Sequence, residues 1–149
     1  MASQIETILD DIAAWTPSYA GKTPKVWNID DIQTDATLGL PKRVLLVPET
    51  AADPFAFVAL GKRATIVWAI TDRLYMAPAA ETGGFERYNG EMIRYVVNYI
   101  NAAQNDRGLA NSQAHVVNIT SEHGVYDWPI GSGQLYYGVD LVIEVQEVI

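Results

Sequence analysis

The clearest pattern in the chain is an unbroken alternation over Gln134–Val148. Leu135, Tyr137, Val139, Leu141, Ile143 and Val145 fall on one side, and Gln134, Tyr136, Gly138, Asp140, Val142, Glu144 and Gln146 on the other. A period of two predicts a strand with one buried face. Ala64–Met76 reads the same way, with Ile66, Trp68, Ile70, Leu74 and Met76 facing the core and Thr65, Val67, Ala69, Thr71, Arg73 and Tyr75 on a mixed second face. Asp72 interrupts the apolar side, which predicts a bulge or the margin of the core at that point. Ala114–Ser121 alternates more briefly, with His115, Val117 and Ile119 together, and Glu122–Gly133 reads as a turn-rich loop. Lys25–Ile29 and Arg43–Val47, the latter bounded by Pro41 and Pro48, predict two short strands.

The period changes to that of a helix in two places. Over Ser3–Trp15, residues Ile5, Ile8, Leu9, Ile12 and Trp15 share a face, Ser3 and Glu6 stand at capping-box spacing, and Thr16-Pro17 ends the run. Over Phe85–Ala103, a stripe of Phe85, Tyr88, Met92, Val96, Tyr99, Ile100 and Ala103, widened by Ile93 and Val97, predicts a second helix. The order α-β-β-β-α-β-β lacks βαβ alternation. The expected fold is therefore α+β, a mainly antiparallel sheet with two helices packed on one face, spanning residues 1–149 as one domain.

Composition narrows the chemistry. The chain has 149 residues, 49% hydrophobic and 19% charged, which is the balance of a folded protein. It contains no cysteine, so disulfides and thiolate-ligated metals are excluded. Its formal net charge is −8, which opposes binding to a phosphate backbone; Lys42-Arg43 and Lys62-Arg63 are too small a basic set to reverse that. The first residues, MASQIETILDDIAAW, lack the basic and apolar regions of a signal peptide, and no apolar run reaches membrane-spanning length. No membrane association is expected.

No motif for a catalytic, metal or cofactor site emerges. His115 and His123 have only Glu122 and Asp127 as neighbouring carboxylates, and a lone histidine beside Val117 and Ile119 reads as a packing residue. Gly131-Ser132-Gly133 lacks the strand-to-helix setting of a nucleophile elbow, and Gly83-Gly84 lacks the lysine and preceding strand of a phosphate loop. The carboxylates show no spacing that selects an acid/base pair. The aromatic and arginine residues carry more information. Phe55, Phe57, Arg63, Arg73, Tyr75, Tyr126, Trp128 and Tyr136 lie in predicted loops or on predicted second faces, and these residue types are enriched where subunits meet. They are the expected subunit-interface set; coverage of the sheet's second face is the alternative.

The closing segment LYYGVDLVIEVQEV, with the order of elements, resembles the tail terminator proteins of long-tailed bacteriophages. Val26-Trp27, the strand entry Leu40-Pro41-Lys42-Arg43-Val44, the strand Trp68–Met76, the helix Glu86–Ala103 and Tyr136-Tyr137-Gly138-Val139 carry the resemblance; Ala51–Leu60 has no counterpart in it. The resemblance implies a structural virion protein rather than an enzyme, without cofactors. It implies a ring, expected to be a hexamer, at the head-proximal end of the tail tube, assembled in the host cytoplasm and contacting tail-tube protein and head connector or neck proteins. DNA would pass through such a ring without specific binding. Another phage neck or head-completion protein of similar build fits the same pattern. A ligand-binding or hydrolytic domain, using a cleft between the helices and the Gly124–Gly133 loop, is a further alternative, and convergence of Glu122, His123 and Asp127 would mark it.

Overall fold

The computed structural model describes residues 3–27, 39–50, 65–79, 86, 88–109, 114–128 and 130–148. The elements are α1 (Ile5–Ala13), β1 (Lys25–Trp27), β2 (Lys42–Leu45), β3 (Glu49–Thr50), β4 (Thr65–Pro78), α2 (Asn89–Gln104), β5 (Ala114–Asp127) and β6 (Leu135–Val148). They form an α+β fold. The strands make one sheet in the order β1-β2-β4-β6-β5, with β3 pairing β4 beyond the end of β2. Among the described strands only β1 and β2 run parallel, and every other pair is antiparallel.

The two strongly alternating segments are neighbours at the centre. β4 and β6 pair from Thr65 opposite Val148 to Pro78 opposite Tyr136, with a shift of register between Tyr75 and Ala77. Their apolar faces supply Ile70, Leu74, Val139, Leu141, Ile143 and Val145 to the main core. Both helices cover that face: α1 contributes Ile8, Leu9 and Ile12, and α2 contributes Met92, Tyr95, Tyr99 and Ala103. Each of the Ile, Leu, Val and Met side chains among these stabilises the fold by roughly 1.5–3 kcal/mol when removed from water.

Three expectations are corrected here. No bulge marks Asp72, which is fully buried in the core and paired there with Arg43. Val97 and Ile93 do not widen the buried stripe of α2, because they lie on its flank and are 51% and 59% exposed. The first half of the Glu122–Gly133 stretch is no loop: β5 continues to Asp127, since Glu122–Asp127 pairs residue for residue with Leu135–Asp140, and the turn follows only after it. The irregularity in β5 comes earlier, between Val116 and Asn118, and it leaves His115 and Val117 exposed while Val116 enters the core.

Helix α1 is held at both ends by buried charges from the sheet. Its N-cap residue, Gln4, makes no side-chain cap bond, so the expected Ser3–Glu6 box does not form. Instead, the Glu147 carboxylate of β6 accepts hydrogen bonds from the Ser3 hydroxyl (2.8 Å), the Gln4 amide (2.6 Å) and Trp68 Nε1 (3.1 Å). A carboxylate there satisfies an orphan amide and complements the helix dipole. At the other end, the Arg43 guanidinium donates to the carbonyl oxygens of Ile12 (3.1 Å) and Trp15 (2.5 Å).

Candidate interface surfaces

Of the eight predicted interface residues, Phe55, Phe57 and Arg63 lie outside the described residues. The other five converge at one end of the sheet's second face. Tyr75, Trp128 and Tyr136 are buried there with Val44, packed against Trp27, Leu40, Leu46 and Tyr126. The ring of Trp128 stands 5.1 Å from that of Trp27 and 5.7 Å from that of Tyr75, and Tyr136 meets Tyr75 edge-on at 5.9 Å. The Tyr75 hydroxyl donates to the Asp127 carbonyl at 2.9 Å, fixing the end of β5 over the cluster. These three rings thus form a second small core over the sheet's second face, the alternative to an interface role. The cause is the length of β5: continuing to Asp127, it brings Trp128 back across the face on which Tyr75 and Tyr136 stand.

Arg73 and Tyr126 sit at the margin of this cluster. The Arg73 guanidinium makes a two-point contact with Asp140, Nε to Oδ1 at 2.7 Å and Nη2 to Oδ2 at 3.0 Å, and lies 4.1 Å from the centre of the Tyr126 ring. Burial opposes its charge, but the Asp140 carboxylate prevails and holds the guanidinium above its ordinary range. The Tyr126 ring covers the cross-strand pair Gly124–Gly138, where a Cβ on Gly124 would come within 2.8 Å of it. Burial, and then the nearby Asp140, push the Tyr126 phenol up to about 12.

The residues that would mark a hydrolytic cleft do not converge. Glu122 and His123 are successive exposed residues of β5 and so point to opposite faces, while Asp127 accepts the Gly131 amide at 2.5 Å within the turn. Among the described residues no group of three His, Cys, Asp or Glu side chains is arranged to hold a metal. No helix among them is long and apolar enough to cross a membrane.

The exposed features lie on the flanks of the sheet instead. β5 forms one edge, with a full side unpaired among the described residues. Beside it runs the exposed shoulder of α2, Ile93 and Val97, continuing into a cleft of about 250 Å³ between the helix and the strand, lined by Ile100, Gln104, Arg107, Val117 and Ile119. The opposite edge is β1, where Lys22 and Lys25 are exposed and Lys42 Nζ stands 4.1 Å from the centre of the Trp27 ring. The sequence pattern did not single out either flank, although Ile93 and Val97 were conspicuous as apolar residues beyond the width a single buried stripe needs.

No protein-family model matches the chain, and no curated protein matches its sequence.

Proposed function

We propose that this chain is a structural ring subunit of a long-tailed phage, a non-enzymatic protein that ends tail-tube polymerisation and joins the tail to the head. The observation that carries this reading is the pair of unlike open flanks on one sheet: a long edge with an apolar helix shoulder, and a short basic edge opposite. A cyclic ring requires two different, mutually complementary patches on each subunit. The terminator-like pattern of elements supports the same reading. So does the net charge of −8, since a negative lumen repels phosphate and lets DNA pass without adhering.

The test is assembly with the tail-tube protein of the same phage, followed by light scattering and electron microscopy. A six-membered ring seated on the tube end, with tubes no longer able to extend, is the expected result. A chain that stays monomeric in the presence of tube protein sinks the proposal. Binding to the head connector without any effect on the tube identifies another neck protein of the same build.

A further inference from the structure

Among the described residues both edges of the sheet are unpaired, and their directions are related. β5 runs parallel to β4, because each is antiparallel to β6; β1 runs antiparallel to β4, because it is parallel to β2. If a second copy continues the sheet in the same orientation, its β1 therefore meets β5 antiparallel. The faces also match. Val26 stands opposite Arg43 on the helix-covered face, whereas Lys25 and Trp27 lie on the second face with Val44. On β5, Glu122 stands opposite Asp140, again on the second face, beside Arg73.

Resting on the ring reading, we infer that subunits join by sheet continuation, with β1 of one copy added to the free edge of β5 of the next. Under that arrangement Val26 of the incoming strand stands opposite Ser121, beneath the shoulder of α2 formed by Ile93 and Val97. Lys25 lies on the opposite face, beside the exposed Glu122. The apolar shoulder thus covers the next strand of a sheet that the subunit does not complete alone. Charge selects the pairing, because the β1 flank exposes Lys22 and Lys25 in a chain of net charge −8. A two-fold pairing of β5 with β5 would instead set Glu122 of each copy on the same seam without a basic partner. Head-to-tail contact leaves a free edge at either end, so it grows until a ring closes.

The absence of cysteine makes the contact directly testable with Lys25→Cys and Glu122→Cys variants and a short bismaleimide. Both positions are exposed, so neither change threatens folding. A mixture of the two single variants is expected to give a covalent dimer far in excess of either alone, and the double variant a ladder ending in a closed species. Efficient self-linking of Glu122→Cys alone, or no linking in any mixture, overturns the inference. The two proposals fail separately. Six-membered rings on tube protein without the Lys25–Glu122 link overturn this interface and leave the ring reading standing. A Lys25–Glu122 ladder from a protein that never caps tubes upholds the interface and removes the ring reading.

Discussion

Arg43 on β2 and Asp72 on β4 form an ion pair, Nη2 to Oδ2 at 2.6 Å, with neither side chain reaching solvent. The remaining hydrogen-bonding groups are also engaged: Arg43 donates to the carbonyls of Ile12 and Trp15, and the Tyr99 hydroxyl donates to Asp72 at 2.6 Å. Burial disfavours the guanidinium charge, yet the carboxylate beside it holds Arg43 above its ordinary range. One pair therefore ties α1, α2, β2 and β4 together in the middle of an apolar core.

Removing one partner leaves the other charge buried and alone, a loss of roughly 3–5 kcal/mol, whereas an apolar pair of similar volume avoids the desolvation cost. Asp72→Ala is therefore expected to lower the urea midpoint severely, and the double change Arg43→Met with Asp72→Leu to recover only part of the loss, because the Tyr99 hydroxyl and the Ile12 and Trp15 carbonyls lose their partners. A double variant as unstable as the single one contradicts this account of the pair.

The central architecture was legible because β4 and β6 alternate strictly and α1 and α2 carry stripes at helical spacing. What was not legible depends on contacts distant in sequence. Asp72 looks like a flaw in an apolar face until Arg43, 29 residues away, is placed beside it. The cap of α1 comes from Glu147, 144 residues from Ser3, so local spacing could only suggest the wrong partner, Glu6. The second half of β5, EHGVYD, carries a glycine and polar residues that favour a turn in isolation. Pairing with β6 overrides that preference. For the aromatic residues, interface and coverage of the second face both stayed open in the sequence, because a period-two pattern assigns residues to a face and says nothing of what returns to cover it.

Glu147 supplies the next test. It is fully buried, and its carboxylate serves two donors at the start of α1 as well as the Trp68 indole. Glu147→Ala removes the acceptor of three part-buried hydrogen bonds, and the loss of bonds to a charged group costs about 1.5–3 kcal/mol. Ser3→Ala, which removes only the hydroxyl contact, is expected to cost less. Equal losses in chemical denaturation would show that the carboxylate is no cap.

Alkaline pH tests the two buried tyrosines of α2 together. Burial, reinforced by Asp72, raises the phenols of Tyr95 and Tyr99 well above the ordinary value of 10.0. The native state then holds protons that the unfolded chain releases, so stability is fully present below pH 10 and falls as pH rises beyond it. Tyrosinate absorbance from these residues is expected to appear together with loss of the folded circular dichroism signal. At neutral pH the two differ: the Tyr95 hydroxyl has no hydrogen-bond partner among the described residues, whereas that of Tyr99 serves Asp72. Tyr95→Phe should therefore be neutral or stabilising at pH 7 and Tyr99→Phe destabilising, by about 1.5–3 kcal/mol for a bond to a charged group.

The exposed shoulder of α2 separates stability from association. Val97 is half-exposed, so Val97→Glu removes little packing, and surface changes of that kind usually stay within about 0.5 kcal/mol. The same change places a carboxylate where the inferred contact seats an apolar strand. Its denaturation midpoint is expected to match that of the parent while the concentration needed for self-association in sedimentation velocity rises. A large stability loss would mean that Val97 belongs to the core after all.

Two glycines give opposite expectations for the same substitution. Gly138 lies on β6 between Gly124 and Tyr75, and a Cβ there would stand 2.0 Å from the Leu74 carbonyl oxygen, with the Tyr126 ring at 3.3 Å. The carbonyl belongs to the backbone of the neighbouring central strand, so rotating a side chain cannot relieve the clash. Gly138→Ala must instead displace β4 or β6, and overpacking of this kind typically costs about 1–3 kcal/mol. Gly90, in the first turn of α2, has open space around its Cβ direction. Alanine there gains helix propensity and reduces the freedom of the unfolded chain, a stabilisation of about 0.4–1 kcal/mol. The pair is best measured by urea unfolding side by side. Gly138→Ala tolerated as well as Gly90→Ala would mean that β4 and β6 approach less closely at Leu74 than the structure has them.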